Sequence, residues 1–136
     1  MIVDTSALLA YFNTREPDHK AVAHVIDDHA DGVLVVSPYV VAELDYLVAT
    51  RIGVDAELAV LRELSSRAWQ LAEFDADNLE RAAAIIEKYR DLNIRLADAS
   101  IVVLADQHHT TQILTLDRRH FEVLRPIGGT RFAILP

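Results

Sequence analysis

Four acids stand where a carboxylate is hard to accommodate. The chain opens MIVDTSALL, so two apolar residues lead to Asp4, Thr5 and Ser6 before apolar sequence resumes at Ala7. Asp117 follows a second β-branched stretch, QILTL at 112–116. The other two acids fall on helical stripes. In SPYVVAELDYLV, Val40, Glu43, Leu44 and Leu47 recur at helical spacing, and in LADASIVVLA, Asp98, Ile101, Val102 and Ala105 do the same. That periodicity places Glu43 and Asp98 on apolar, core-facing stripes. A carboxylate on a buried face is unfavourable unless it is paired or binds metal. Ionised carboxylates about 4 Å apart repel by roughly 4 kcal/mol at an effective dielectric of 20. A convergent set therefore needs a cation, and oxygen-only ligands select Mg²⁺, Mn²⁺ or Ca²⁺ over zinc. Mg²⁺ keeps several waters and takes one or two carboxylates together with substrate phosphate. Asp4 would be one ligand, and Thr5 or Ser6 would orient it or touch phosphate.

Each acid also has a local alternative. Asp4 could cap the helix that follows it. Asp98 could lie favourably against a helix dipole. Asp117 could be a turn acid paired with Arg118 or Arg119, and Glu43 a buried partner of an arginine. Asp45, two residues beyond Glu43, turns away from it. His108 and His109 end a helix, where histidine is favourable, while His120 stands close to Asp117 in sequence. Arg90, Arg95, Arg118 and Arg119 flank the acidic motifs and are candidates for holding phosphates.

The elements that must position these residues alternate between strand and helix. Short strands are expected at 2–5, 33–37, 69–74, 112–116 and 131–135. Helices are expected at 6–13, 17–29, 38–52, 54–66, 75–89, 96–109 and 118–124. Pro17 suits a first helical turn, Ser37-Pro38 reads as a cap followed by the first helical residue, and Gly53 stops the third helix. Strands interleaved with helices imply a parallel sheet covered on both faces, a three-layer α/β/α domain spanning 1–136. In such sheets ligands bind beyond the carboxyl ends of the strands, where strand order reverses. Asp4 and Asp117 both sit at such ends and face one crevice if their strands are neighbours.

Composition bounds the rest. Hydrophobic residues make up 51 % and mean hydropathy is +0.16, enough to bury a sizeable core. The absence of cysteine excludes disulfides and thiolate metal sites and suits a reducing cytoplasm. No leader and no membrane span are expected. A net charge of −8 argues against a general nucleic-acid coat protein, yet suits a basic protein partner and leaves room for an enzyme whose acids are neutralised by metal.

Four segments, IVDTSALLAYF, SPYVVAEL, LADASIVVLA and ILTLDRRHF, occur in the order and approximate spacing of the PIN-domain ribonucleases. The chain most resembles the VapC toxins of bacterial toxin–antitoxin pairs, and the resemblance runs over essentially its whole length. It implies an endoribonuclease dependent on Mg²⁺, with Mn²⁺ able to substitute. Asp4, Glu43, Asp98 and Asp117 would form the acidic quartet, with Thr5 or Ser6 and Thr115 as supporting hydroxyls; Arg118, beside Asp117 in the chain, is then a candidate substrate contact. It further implies a five-stranded parallel sheet of order 3-2-1-4-5, a homodimer, a VapB antitoxin whose C-terminal segment enters the active groove, and a structured RNA substrate such as tRNA or rRNA. Two rivals stay open at this point. One is a Mg²⁺-dependent phosphatase with an aspartyl nucleophile, in which Ser6 stands where a second Asp is common. The other is a scaffold that binds RNA or protein without cutting.

Overall fold

The computed structural model describes residues 1–136. β1 (Ile2–Val3) leads into α1 (Thr5–Phe12) and α2 (His19–Asp28). β2 (Val35–Val36) is followed by α3 (Pro38–Arg51) and α4 (Val54–Leu64), and β3 (Gln70–Leu71) by α5 (Ala76–Lys88). A 3₁₀ turn at Arg90–Leu92 precedes α6 (Leu96–Gln107), then come β4 (Gln112–Leu114), α7 (Arg118–Phe121) and β5 (Ala133–Leu135). The strands form one parallel sheet in the order β3-β2-β1-β4-β5. This is the three-layer architecture and the strand order expected.

The strands are shorter than the sequence suggests, because the ladder is regular only at the sheet's middle. Ile2 and Val3 pair with Val35 and Val36 on one side and with Ile113 and Leu114 on the other. All six are at most 1 % exposed, so β-branched and aliphatic residues here are buried on both faces. Pairing continues one residue past β1, where the Asp4 N–H donates to the Leu114 carbonyl. This bond ties the first acid to the β4 side of the sheet.

Local chemistry explains the other departures. α2 begins at His19 rather than at 17, since Asn13 starts a turn. Its side-chain oxygen accepts from the Arg15 N–H, and Glu16 N–H bonds back to its carbonyl. Pro17 thus lies in the turn and not in the helix. Ser37 caps α3 as expected, accepting from Tyr39 N–H at 3.2 Å, with Pro38 as first helical residue. Gly53 ends α3 at φ 132°, a region that L side chains rarely enter, while its N–H bonds to Val48.

α6 is the central helix. Residues 99–105 are all buried, so it is apolar on every side and packs against both α5 and α3. Its one buried polar side chain, Ser100, meets Ser37 Oγ at 2.6 Å, fixing α6 against the start of α3. Glu43 and Asp98 ride on these two locked helices. No helix is long and apolar enough to cross a membrane.

Candidate active site

A cleft of about 450 Å³ opens beyond the carboxyl ends of β1 and β4, and Asp4, Glu43, Asp98 and Asp117 all line it. The sheet order makes the first and last of these neighbours, as the switch-point argument requires.

Asp4 forms the floor. It occupies the cap position of α1, and its carbonyl accepts from Leu8 N–H, but its carboxylate makes no capping bond. The Oδ2 atom instead accepts from Ser6 Oγ and from Thr115 Oγ1, each at 2.7 Å. Both hydroxyl protons are then committed, so the 3.2 Å contact between the two hydroxyls carries no bond of its own. The hydroxyl oxygens are held in turn by the main chain after β4. Leu116 N–H donates to Ser6 Oγ at 2.9 Å and Asp117 N–H to Thr115 Oγ1 at 3.0 Å. Asp4 is only 5 % exposed, no lysine, arginine or histidine reaches it, and its Oδ1 receives no hydrogen bond from the protein. A buried carboxylate without counter-charge is a strong demand for a cation.

The hydroxyls divide their work. Ser6 and Thr115 hold Asp4, whereas Thr5 Oγ1 donates to Glu43 Oε2 at 2.8 Å. Glu43 itself corrects the helical-stripe reading. α3 buries Val40, Leu44 and Val48, the i, i+4 ridge, and leaves Glu43 exposed on the neighbouring ridge along the cleft edge. It faces the site from the rim, not from the core.

Asp98 satisfies both of its readings. In the first turn of α6, its Oδ2 accepts from Arg95 N–H at 2.9 Å, a helix-start bond. The same side chain faces the cleft. Burial raises its pKa, the Arg95 N–H opposes the rise, the Asp4 charge adds to it, His120 opposes it and Asp117 adds a little more. Asp117 is the most loosely held acid, with its side chain 42 % exposed. Its Oδ2 lies 3.1 Å from His120 Nδ1, which is also 3.8 Å from Asp98 Oδ2. That nitrogen is shielded from solvent and lacks a well-directed hydrogen bond. His120, which the acidic quartet leaves out, therefore bridges two of its members; its signal in the sequence is the three-residue step from Asp117 along a short helix.

No three acid or histidine side chains close around a single point. The quartet is an open arrangement in which each acid engages the protein through one carboxylate oxygen, and no hydrogen bond from the protein reaches the other. Arg95 and Arg119 line the same cleft, but Arg118 does not. As the first residue of α7 it turns toward the sheet edge, where its Nη2 donates to the main-chain oxygen of Pro136. Arg90 pairs with Glu87 outside the cleft. Asp45 does turn away from Glu43, toward Glu57 of α4, whose pKa it raises.

A five-stranded parallel sheet of this order, with acids gathered at the carboxyl ends of its central strands, describes a PIN domain, and residues 1–125 match the model of that family. The chain belongs to the VapC ribonucleases within it, the toxins of VapBC pairs: Ribonuclease VapC26 of Mycobacterium tuberculosis is 67 % identical over 136 residues, covering 100 % of both chains. The crystal structure of Mycobacterium tuberculosis VapC20, a Sarcin-Ricin loop cleaving toxin, is similar with a TM-score of 0.81 and 19 % identity, over 93 % of this chain and 97 % of that one. VapBC2 from Rickettsia felis, bound to a DNA fragment from its promoter, is similar with a TM-score of 0.74 and 16 % identity, over 99 % and 98 %. At such identities these two structures speak for the fold.

Proposed function

We propose that this ribonuclease is a Mg²⁺-dependent endonuclease, with Mn²⁺ able to substitute, that cuts a structured RNA through the four-acid cleft. The observation that carries this reading is Asp4, buried, braced on one oxygen by two hydroxyls and without any cationic partner. An oxygen-only donor set of this kind fits a hard divalent ion. When bound, such an ion supplies Lewis acidity at the phosphate and a more acidic water.

The chain's own residues do the rest. Asp4, Glu43, Asp98 and Asp117 line the cleft and would hold the ion; Ser6, Thr115 and Thr5 fix the first two so that no reorientation is needed during reaction. Arg95 and Arg119 flank the acids and hold the phosphates of the substrate strand. Attack of water in line breaks the bond to the 3′-oxygen and yields a 5′-phosphate and a 3′-hydroxyl. An aspartyl-nucleophile phosphatase would instead release inorganic phosphate from a terminal ester. The open cleft suits an exposed loop of rRNA or tRNA, and the rRNA loop cut by VapC20 makes rRNA the first substrate to test.

Inhibition by a VapB antitoxin, with the cytoplasm as the place of action, is part of the same reading, and the surface beside the cleft supports the antitoxin's docking. Phe12, Val48, Ile52, Ala56 and Val60 line an apolar groove of about 280 Å³, and a neighbouring hollow reaches Leu9 and Leu47 at the cleft's own wall. An amphipathic VapB segment lying there would bring a basic side chain to the acids, with a homodimer presenting two such grooves. The test of the whole reading is cleavage of purified rRNA and tRNA with Mg²⁺, with Mn²⁺ and with chelator, followed by analysis of the new ends. Metal-restored cuts bearing 5′-phosphates are expected. Cleavage that persists undiminished in chelator overturns it.

A further inference from the structure

A second concavity, of about 420 Å³, lies between α7 and β5, and its lining begins at Arg118, the residue after Asp117. Arg118, Arg125 and Arg131 line it, and Glu122 is its one acid. The chain has 21 acids against 13 lysines and arginines, yet none of these three guanidinium groups pairs with an aspartate or glutamate. Two are anchored from behind by main-chain oxygens. Arg118 Nη2 donates to the main-chain oxygen of Pro136, the last residue of the sequence, and Arg125 Nη1 donates to the carbonyls of Glu122 at 2.7 Å and Leu124 at 3.1 Å. The remaining N–H groups of these exposed side chains are free. Beneath them Phe121 and Phe132 meet edge to face at 6.3 Å, a stiff buried floor.

The placement has a direction. β5 runs parallel to β4, so Pro136 is at the catalytic end of the sheet and Arg131 at the other. At about 3.3 Å per residue these lie roughly 16 Å apart. Arg118 follows Asp117 directly in the chain. Arg118 and Arg131 therefore mark the two ends of a groove that runs from the Asp117 side down the open edge of the sheet, with Arg125 in its lining.

We propose that this arginine groove is an RNA subsite that holds the backbone phosphates of the substrate strand where it leaves the cleft past Asp117. The inference rests on the RNA-cutting reading above and adds where the flanking strand runs. Guanidinium forks with no aspartate or glutamate partner match phosphate oxygens, and the net charge of −8 repels RNA everywhere a basic track is lacking.

The test uses Arg125→Gln/Arg131→Gln, which leaves the cleft residues in place. Cleavage is measured on an RNA hairpin carrying the mapped site with long flanks, and on the same hairpin trimmed close to the site. The double variant is expected to raise KM for the long substrate about tenfold with kcat unchanged, and to lower the slope of log KM against log salt by roughly 0.7 per arginine. The trimmed hairpin is expected to be cut as by wild type. Glu122→Gln, which removes the groove's one acid, is expected to lower KM for the long substrate. Unchanged KM and salt slope overturn the groove, as does an equal loss on both substrates. If the double variant instead weakens capture of VapB while RNA parameters hold, the groove is a protein contact and the proposal falls. A wild-type protein that cuts neither hairpin overturns the RNA-cutting reading itself; anisotropy with a single-stranded oligonucleotide in chelator then decides the groove, and equal affinities for wild type and the double variant overturn it.

Discussion

The floor and the rim of the acid cleft contain the same kind of residue under opposite constraints. On the floor, Asp4 is buried, accepts two hydroxyl bonds on one oxygen, and those hydroxyls are themselves tied to main-chain N–H groups. At the rim, Asp117 is half-exposed and its carboxylate meets only the His120 ring, and Glu43 is exposed with one bond from Thr5. Geometry that cannot relax is worth most in catalysis, since nothing must reorganise as charge develops. The floor acid should therefore dominate function, while the rim acids tune it.

The comparison breaks most simply at its two ends. Asp4→Asn keeps an oxygen for the two hydroxyls but loses the charge; cleavage is expected to drop at least a hundredfold, about 3 kcal/mol of transition-state stabilisation. Asp117→Asn is expected to lose only about tenfold, because water can replace an exposed carboxylate. Initial rates on one RNA at saturating Mn²⁺ decide it, and a larger loss at Asp117 than at Asp4 would invert the floor-and-rim distinction.

A finer cut separates brace from charge. Thr115→Val removes a hydroxyl that donates to Asp4 and accepts from Asp117 N–H, so it loosens both floor and rim. Hydrogen bonds to charged groups contribute about 1.5–3 kcal/mol, so a loss of about tenfold or more in rate and several degrees in Tm is expected. Ser6→Ala should do nearly as much, and the double variant should fall short of the sum because both hydroxyls serve one oxygen. Thr5→Val, which frees only an exposed rim acid, should cost severalfold in rate and little in Tm. Full additivity of Ser6→Ala and Thr115→Val would show that the two hydroxyls do not act on Asp4 together.

How far the sequence reveals this site depends on which constraint is local. Asp4 and Asp117 are legible because β-branched runs end at them and strand ends are where parallel sheets bind ligands. Strand order and the acids' common cleft agree with that reading. The stripe leads Glu43 to the right cleft for the wrong reason, since a helical stripe of 40, 43, 44 and 47 cannot distinguish the buried ridge from the one beside it; only the packing of α3 against α1, α4 and α6 chooses. Arg118 and Arg119 are indistinguishable as neighbours in a chain, yet a helix turns them about 100° apart, one to the cleft and one to the β5 edge. The split of labour between Thr5 and Ser6 is likewise invisible until the helix start fixes their directions. Pro17 misleads because Asn13 forms its turn through a side chain, which no periodicity records.

Asp98 lies between floor and rim, and its substitution is the smallest and most informative effect. Burial raises its pKa, with the charges of Asp4 and Asp117 adding to the rise. For a carboxyl, a raised folded-state pKa means that the native state binds more protons than the unfolded one, so this group's contribution to stability falls as pH rises through the interval above the ordinary value of 3.8. At neutral pH the ionised group is a net burden without metal. Asp98→Asn retains an oxygen for Arg95 N–H and removes the charge, so the metal-free variant should melt higher than wild type. With the side chain partly solvated, about 1 kcal/mol is a sensible scale, or about 4 °C in a chain of this size. The difference should shrink as pH falls toward the raised folded value, where the wild-type carboxyl is itself protonated. In millimolar Mn²⁺ the order should reverse or narrow, because wild type gains stability by mass action and the variant gains less. A helix-start role alone predicts near-equal melting in both conditions. Thermal unfolding of the two proteins, in chelator and in Mn²⁺ at two pH values, separates these outcomes. A variant that melts lower than wild type in chelator and shifts upward equally with Mn²⁺ removes Asp98 from the metal-holding set and leaves it as the start of α6.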